Sequence, residues 1–284
     1  MSLRIATCRP LPEPDPDEHL LLAALAARGV RARMVDWRDP REDWDAPVPT
    51  LLRSTWDYLH HLEEFLAWVE RAGRAAELWN PPAVVRANVH KFYLRGLERR
   101  GIAIVPTAFL ERGTGSSVVA VAEEHGWNDV VVKPAVSAGS FATLRARLTH
   151  SAERAAAEAH LAHHLGERDM LVQRYAPAVE GSGERALVWI AGEFTHSVRK
   201  RPRFLGQEEH VSAALPIEED ERALGEAALA PLRHELLYAR VDVVRDDGGR
   251  PIVMELELCE PSLFLKQHPP ALERLVSALE ARLA

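Results

Sequence analysis

A β-hairpin that carries three acidic side chains is the feature that most constrains this chain. Residues 239–265, ARVDVVRDDGGRPIVMELELCEPSLFL, read as two strands joined by a tight turn at 246–249. Side chains alternate between the two faces of a strand, so Glu255 and Glu257 share one face and an antiparallel partner can bring Asp242 beside them. Three close carboxylates repel one another unless a cation lies between them, and oxygen ligands of this kind suit Mg²⁺ or Mn²⁺ that also holds phosphate oxygens. The alternative is an acidic strand face exposed to solvent.

Composition indicates a globular protein with one large subdivided domain or two domains. The chain has 284 residues, of which 47% are apolar, and a formal net charge of −7. An acidic chain argues against a nucleic acid or an anionic membrane surface as the main partner. Cys8 and Cys259 are too few and too far apart for a disulfide framework, and the sequence shows no signal peptide and no membrane span. We therefore expect a cytoplasmic protein.

The first third of the chain has the pattern of an α/β fold. Residues 3–8 and 30–35 read as strands on either side of a helix at 19–27, which makes a βαβ unit. A third strand leads into Arg53, Thr55 and Asp57, and polar residues at the carboxyl end of such a strand often contact ligands. The alternative is that this segment only packs and caps the next helix. No glycine fingerprint follows the first strand, so a Rossmann dinucleotide site is not expected.

The middle of the chain contains a candidate phosphate site. Lys133 ends an apolar strand and is followed by a loop of small residues that includes 137–140 (Ser137, Ala138, Gly139, Ser140). A cation and mobile backbone N–H groups are what a nucleotide phosphate needs, although an ordinary hairpin has the same pattern. The sequence lacks the GK[ST] ending of a P-loop.

A basic run follows the next predicted hairpin, and the remaining predicted elements are mostly helices. Arg199, Lys200, Arg201 and Arg203 fall within five residues, which suits a polyphosphate or a substrate carboxylate but also a solubilising loop. Residues 203–217 look irregular and are predicted to form a loop near the site. The other predicted elements are a helix at 86–99 that carries Lys91, a strand at 102–105, and helices at 151–165, 218–239 and 270–283.

Taken together, these motifs resemble the ATP-grasp superfamily, and they occur in the family's order along residues 53–265. The resemblance implies an α/β chain with α+β subdomains, in which an ATP-grasp fold follows an N-terminal βαβ domain. It implies domains at 1–86 (substrate side), 87–172 (lid) and 173–284 (metal site). The phrases RSTWDY, HSVRKRP and MELELCEPSLFL are most similar to the small-molecule ligase branch that includes the cycloserine-biosynthesis ligase.

The resemblance also implies roles for individual residues. Two lysines would hold phosphates, a strand at the hinge would contact adenine, an acid would hold the ribose hydroxyls, and three acids would hold the metal. These residues are, in the same order, Lys91 and Lys133; Gln173, Arg174, Tyr175 and Ala176; Glu180; and Asp242, Glu255 and Glu257. Glu257 replaces the family's usual Asn, which leaves open whether Glu257 or Glu260 completes the metal shell.

The chemistry that the resemblance implies is ATP-dependent ligation. A carboxylate of a small molecule, such as an amino acid, would attack the γ-phosphate to give an acyl phosphate, which an amine then displaces. Arg185 and Arg240 are candidates for the acyl-phosphate oxygens and Lys200 for the transferring phosphoryl group. The predicted substrate contacts are Arg53, Thr55, Asp57, Arg199, Arg201, Glu260 and Ser262. A homodimer is a common expectation for such enzymes. Both ring closure within one molecule and joining of two molecules stay open.

Two other functions fit the same ATP site. The first is a kinase that transfers phosphate to a hydroxyl and leaves it on the product. The second is a module that binds ATP without turnover and closes onto a partner protein, although such a module has no need for two lysines and three acids.

Overall fold

The part of the chain that the structure describes forms three four-stranded sheets with helices packed against them. The structure is a computed structural model that describes residues 1–201 and 210–284. Arg203 of the basic run, and residues 203–209 of the predicted irregular segment, lie outside the described residues. The predicted α/β class is confirmed.

The N-terminal sheet is parallel throughout. Its strands are β1 (Ser2–Thr7), β2 (Arg31–Asp36), β3 (Thr50–Leu52) and β4 (Leu78–Trp79), in the spatial order β2-β1-β3-β4. The helices of this region are α1 (Glu18–Ala27), α2 (Leu62–Ala75) and α3 (Pro82–Asn88). Since β1 pairs in parallel with β2 through α1, the predicted βαβ opening is confirmed.

The middle sheet is antiparallel and carries Lys133 at the end of one strand. Its strands are β5 (Thr107–Leu110), β6 (Asp129–Pro134), β7 (Leu144–Arg147) and β8 (Met170–Arg174), in the order β5-β8-β6-β7. The helices that precede it or pack on it are α4 (Tyr93–Arg99), α5 (Val118–His125) and α6 (Ser151–Leu165).

The C-terminal sheet contains the hairpin that the sequence singles out. Its strands are β9 (Glu184–Ile190), β10 (Glu193–Lys200), β11 (Tyr238–Arg245) and β12 (Pro251–Glu257), in the order β10-β9-β11-β12. The remaining helices are α7 (Glu219–Leu229) and α8 (Pro269–Leu283).

The two faces of the C-terminal sheet bury different cores, and this division decides which side chains can reach the site. Ala186, Val188 and Ile190 of β9 pack with the N-terminal sheet and α8. Leu187 and Trp189 point the other way and pack with α4 and α7. We call the first face the cleft face, because the acidic side chains of β11 and β12 lie on it.

Buried hydrogen bonds join the N-terminal region to the acidic hairpin. The Asn80 amide donates to the carbonyl oxygens of Tyr238 and Leu258 at 2.9 and 2.6 Å and accepts from the Leu237 N–H at 2.8 Å. Asn80 is fully buried. Because every polar atom of this amide is used, the two regions are held in one fixed relation at the base of the site.

Three sequence-based boundaries are wrong. The helix predicted at 86–99 is two helices, α3 and α4, separated by residues 89–92; Asn88 turns its side chain to the backbone of Leu256 and Leu258. The helix predicted at 218–239 ends at Leu229, because Pro231 has no N–H for a helical hydrogen bond. The strand predicted at 102–105 is reduced to a single bridge from Ile104 to Val253.

The domain ranges stay a prediction. The N-terminal sheet lies within 1–86 and the C-terminal sheet within 173–284, whereas β8 of the middle sheet crosses residue 172. Among the described residues, no helix combines the length and the apolar character needed to cross a membrane.

Candidate functional site

The three acids of the hairpin lie close together, as their spacing predicts. Asp242 pairs directly with Glu255 across the ladder, and Arg240 pairs with Glu257. The register shifts immediately after Asp242, so that Met254 is the extra residue on β12. This bulge keeps both glutamates on the cleft face together with Asp242.

Two lysines from separate parts of the chain converge on Glu255. The Lys133 ammonium, at the end of β6, lies 2.5 Å from Oε1 of Glu255, and the Lys91 ammonium lies 3.6 Å from Oε2. Lys91 also donates to the carbonyl oxygen of Ser137 at 3.0 Å, and its backbone N–H donates to the carbonyl oxygen of Ala135. The two predicted phosphate lysines are thus held at one carboxylate, with Lys91 tied to the small-residue loop.

Asp242 is held by two further cations. The Arg240 guanidinium donates to both oxygens of Asp242 at 2.8 Å and also to Glu257. The Lys200 ammonium lies 2.7 Å from Oδ2 of Asp242 and 2.5 Å from Oε1 of Glu184. Glu184, at the start of β9, is absent from the sequence-based set of site residues.

Carboxylates and cations therefore alternate along the cleft face. Within the described residues the cluster holds Glu184, Asp242, Glu255, Glu257, Lys91, Lys133, Lys200 and Arg240. With all of these groups ionised, the four acids and four bases balance. The acids of the hairpin thus belong to a charged network in which each carboxylate contacts at least one cation. Such a network can exchange partners when phosphates and a metal arrive together.

Burial and neighbouring charges move the pKa values of the four acids in opposite directions. Burial would raise the pKa of Glu255, but Lys133 and Lys91 outweigh it and lower that pKa to about 2. Burial also opposes ionisation of Asp242, and Arg240 and Lys200 overcome it, so that this pKa is lowered. For Glu184 and Glu257 burial prevails and raises each pKa to about 7. Asp242 and Glu255, which face each other on the hairpin, thus ionise more readily than Glu184 and Glu257.

The donor set suits Mg²⁺. Within residues 1–201 and 210–284, no three His, Cys, Asp or Glu side chains are grouped closely enough to hold a metal ion by themselves. The carboxylates are instead drawn toward their cationic partners, and Asp242 and Glu255 nonetheless face each other from adjacent strands. Hard oxygen donors that supply only part of a shell suit Mg²⁺ when phosphates supply the rest. Asp242, Glu255 and Glu257 fit this role if their cations move onto the phosphates.

The predicted hinge contributes backbone and apolar surface more than polar side chains. The Gln173 amide donates to the Thr107 hydroxyl at 2.9 Å, and Arg174 pairs with Asp247 of the hairpin turn. Tyr175 is buried and packs with Ala176 in an apolar cluster. Tyr175 and Ala176 thus contribute apolar surface here, and the adenine contact of the hinge stays a prediction.

Two apolar residues missed by the sequence analysis complete that surface. Val131 lies on the same face of β6 as Lys133, and Met254 is the bulged residue beside Glu255; both are partly exposed and pack on the cluster that contains Tyr175. The sequence could have indicated Val131, because side chains two residues apart on a strand share a face and Lys133 is a predicted site residue. Met254 is next to Glu255 in the sequence. An apolar slot of this kind suits a purine ring.

Glu180 lies beside the same surface. It accepts a hydrogen bond from the Tyr175 hydroxyl at 2.6 Å and pairs with Arg145, which also stacks 3.4 Å above the Tyr175 ring. These partners lower the pKa of Glu180. The carboxylate is thus ionised near the hinge, where ribose hydroxyls would donate to it.

The small-residue loop is folded over the lysines. Gly139, Ser140 and Ala142 have φ values of 57°, 59° and 48°, which are unusual for the last two residues. The Ala142 carbonyl lies 2.8 Å from Nε2 of His160, and the Phe141 ring contacts His60 of the N-terminal region. Together with the Lys91 contact to Ser137, these contacts hold the segment Ser137, Ala138, Gly139 and Ser140 beside Lys91.

The polar residues after β3 mainly build the site wall. Arg53 is buried, donates to the Pro261 carbonyl at 2.8 Å and lies 3.9 Å from Asp17. Asp57 accepts from the Trp37 indole N–H at 2.7 Å. The Thr55 hydroxyl is fully buried and has no hydrogen-bond partner within the described residues. Arg53 and Asp57 are therefore committed to protein partners, in disagreement with their predicted direct contact to substrate.

Glu260 and Ser262 lie on the segment that Arg53 anchors. Burial raises the pKa of Glu260, although hydrogen bonds from the Cys259 thiol and the Tyr58 hydroxyl oppose this effect. The Arg240 guanidinium lies 3.3 Å from the Ser262 carbonyl oxygen. This segment is thus continuous with the charged network and can line a substrate pocket beside it.

The remaining basic residues lie elsewhere than predicted. Arg185 pairs across the strands with Val243 and Arg199, on the face opposite the cleft, and its guanidinium binds Glu221 at 3.0 Å. A contact from Arg185 to acyl-phosphate oxygens is therefore excluded in this arrangement. Arg199 is exposed on the same far face, and Arg201 is exposed at the end of the hairpin. Lys200, between them, turns to the cleft face.

The chain is similar to known proteins along its whole length. Residues 3–80 match the model for the N-terminal domain of the D-cycloserine synthetase DcsG. The cycloserine biosynthesis protein DcsG of Streptomyces lavendulae is 31% identical over an alignment of 285 positions, which covers 95% of this chain and 94% of that protein. The crystal structure of D-cycloserine synthetase DcsG matches with a TM-score of 0.89 and 30% identity over 100% of both chains.

A more distant structure shares the fold. The ATP-grasp ligase PsnB, in a complex with its minimal precursor, Mg and ADP, matches with a TM-score of 0.63 and 18% identity over 98% of this chain and 96% of that one. The fold is that of the ATP-grasp superfamily of ligases, and the chain matches a synthetase along its whole length. Within that superfamily, the chain belongs to the DcsG family. The predicted superfamily, branch and enzyme class are confirmed.

Proposed function

We propose that this protein uses ATP and Mg²⁺ to activate the carboxylate of a small molecule as an acyl phosphate, which an amine then displaces. The observation that carries the proposal is the charged network on the cleft face, in which four basic and four acidic side chains lie within reach of one another. Phosphates need the cations and a divalent metal needs the carboxylates, so MgATP can satisfy both at once.

The two steps balance without any further reagent. An oxygen of the substrate carboxylate attacks the γ-phosphorus, the bond to the bridging oxygen breaks, and ADP leaves with the electron pair. The amine nitrogen then attacks the acyl carbon, the bond from this carbon to the phosphate oxygen breaks, and inorganic phosphate leaves. The amine gives up one proton, which phosphate or water takes.

Each side of the network has a separate task. Lys91 and Lys133 would leave Glu255 for the phosphates, and Lys200 would neutralise the transferring phosphoryl group. Mg²⁺, held by Asp242, Glu255 and Glu257, would supply positive charge between the phosphate oxygens. Because Lys133, Lys200 and the three acids are already held on strands, little reorganisation of these groups is needed when the phosphoryl group moves.

Arg240 connects the nucleotide to the substrate. Its guanidinium touches Asp242, Glu257 and the Ser262 carbonyl, so it spans from the metal acids to the segment that would line the substrate pocket. A planar guanidinium suits two oxygens of an acyl phosphate. Arg240 is therefore our candidate for stabilising the acyl phosphate, and Arg185 is not.

The substrate would be a small carboxylic acid that also carries a cation, such as an amino acid. Glu260 is the acidic group on the segment next to Arg240, and it can meet an ammonium once ionised. The likeness to a D-cycloserine synthetase supports a substrate related to an amino acid. The proposal covers ring closure and joining of two molecules, since both proceed through the same acyl phosphate.

The test supplies hydroxylamine in place of the natural amine. The protein is mixed with Mg-ATP, hydroxylamine and pools of small acids that include D- and L-amino acids, and both phosphate and hydroxamate are measured. We expect one pool to give hydroxamate and phosphate in equal amounts, and Glu255→Gln to give neither. Phosphate that stays on the product, without hydroxamate, would contradict the proposal and indicate a hydroxyl kinase.

A further inference from the structure

Glu184 is an acidic residue of the cleft face with no role in the reaction as described so far. It begins β9, and its carboxylate lies 2.5 Å from the Lys200 ammonium. Both side chains are largely buried, with exposed fractions of 19% and 12%. Asp242 holds the same ammonium at 2.7 Å, so two carboxylates share one lysine.

The backbone fixes Glu184 opposite Lys200. The two residues are direct partners in the antiparallel ladder of β9 and β10. Gly183, just before Glu184, has a φ of 83°, and a Cβ there would lie 2.5 Å from Cγ of Arg199 and 3.2 Å from the Lys200 carbonyl oxygen. A glycine is thus required for β9 to start this close to the end of β10.

The two carboxylates differ in what happens to them when MgATP binds. Asp242 is a proposed metal ligand, and a divalent cation on its oxygens repels a neighbouring ammonium. Glu184 lies on a different strand and takes no part in the proposed metal shell. An ammonium that gives one N–H to Glu184 has two further N–H groups for other acceptors, such as phosphate oxygens.

We propose that Glu184 is the positioning residue that keeps the Lys200 ammonium at the γ-phosphate of ATP when the metal takes over Asp242. This inference rests on the proposed function, in which Lys200 neutralises the transferring phosphoryl group. Glu184 itself touches neither the nucleotide nor the substrate.

The test isolates the γ-phosphate from the rest of the nucleotide. Dissociation constants for Mg-ADP and for the non-hydrolysable analogue Mg-AMPPNP are measured by calorimetry. The dissociation constant of Mg-ADP divided by that of Mg-AMPPNP is the ratio that reports the contribution of the γ-phosphate to binding. The variants are Glu184→Ala, Lys200→Met and the double variant. Glu184→Gln keeps the size and an acceptor oxygen and serves if the alanine variant is unstable. Glu193→Gln is the matched control, because Glu193 lies at the other end of the same hairpin in an exposed pair with Arg274.

We expect Glu184→Ala to lower the ratio by about tenfold, as for the loss of one charged hydrogen bond, while the affinity for Mg-ADP stays within about twofold. Glu184→Ala should add nothing in the Lys200→Met background. The control should keep the ratio of the unchanged protein.

Two results would overturn the inference. The first is an unchanged ratio in Glu184→Ala, including the case in which both nucleotides bind equally more weakly, as expected of a purely structural residue. The second is a raised ratio, which would mean that Glu184 competes with phosphate for Lys200. An unchanged protein that binds neither nucleotide would instead overturn the proposed function itself.

Discussion

Replacing Glu255 by glutamine should destabilise the protein strongly when no nucleotide is bound. If the acids of the hairpin simply repelled one another, removal of one charge would leave stability unchanged or improve it. The structure predicts the opposite, because Glu255 is held by Lys133 at 2.5 Å and Lys91 at 3.6 Å, and these lysine side chains are only 8% and 11% exposed. The variant would bury two ammonium groups beside a neutral amide.

The magnitude follows from the pKa of the carboxyl group. A pKa of about 2, against an ordinary 4.5, means that the ionised form is favoured in the folded protein by about 3 kcal/mol. Loss of one partner from a buried ion pair costs about 3–5 kcal/mol, which agrees. The sign fits a lowered acid pKa, since this stability is present above about pH 4.5 and is lost as the pH falls toward 2.

The assay is thermal unfolding without nucleotide. A loss of about 3 kcal/mol corresponds to roughly 6–12 °C in melting temperature for a chain of this size. Glu193→Gln, which removes a carboxylate from an exposed ion pair, should shift the melting temperature by no more than about 2 °C. Metal-free ADP should stabilise Glu255→Gln more than the unchanged protein. In the variant, Lys91 and Lys133 can bind phosphate without first breaking an ion pair with Glu255. A variant that melts at or above the unchanged protein would refute the reasoning.

Three further predictions concern other residues. Burial lowers the pKa of His196 from 6.5 to about 4, so the unfolded chain takes up a proton at a higher pH than the folded protein does. The free energy of unfolding should therefore fall by up to about 3 kcal/mol between pH 6.5 and pH 4. In urea unfolding, His196→Leu should show a smaller fall over the same range. Arg240→Met should lower the rate of phosphate release by on the order of a hundredfold. Arg185→Met should keep that rate within about threefold but lose about 3 kcal/mol of stability, because it breaks the buried pair with Glu221. Equal loss of activity in both variants would contradict the assignment of the two arginines to opposite faces. Asn80→Ala leaves three buried backbone groups without partners and should cost about 3 kcal/mol in urea unfolding, and a cost below about 1 kcal/mol would contradict the role of this amide.

The acidic hairpin could be predicted from the sequence because it depends on short-range rules. Strand alternation and a tight turn place Asp242 opposite Glu255, and the structure agrees. The cations that neutralise these acids could not be derived in this way, since Lys91 and Lys133 reach Glu255 across more than 100 residues of chain. Only the order of motifs, by resemblance to a family, indicated that they belong to one site.

The error at Arg185 has a definite cause. The residue types around Arg185 indicate a strand near the site but do not indicate which face of the strand this side chain occupies. Alternation puts Glu184 on the cleft face and Arg185 on the far face, where it binds Glu221. The phase of β9 depends on its pairing with β10 and β11, and this pairing is a long-range property. The same reasoning explains why Lys200 reaches the site and Arg199 does not.

Transfer of an oxygen atom from substrate to phosphate tests the central claim most directly. Once an active acid has been found, it is labelled with ¹⁸O in its carboxylate and allowed to react with Mg-ATP and amine. If an acyl phosphate forms, one labelled oxygen must leave with inorganic phosphate at each turnover, and its mass should show one ¹⁸O per phosphate. Phosphate that is free of ¹⁸O while product accumulates would show that the carboxylate never attacked the γ-phosphorus, and would contradict the account.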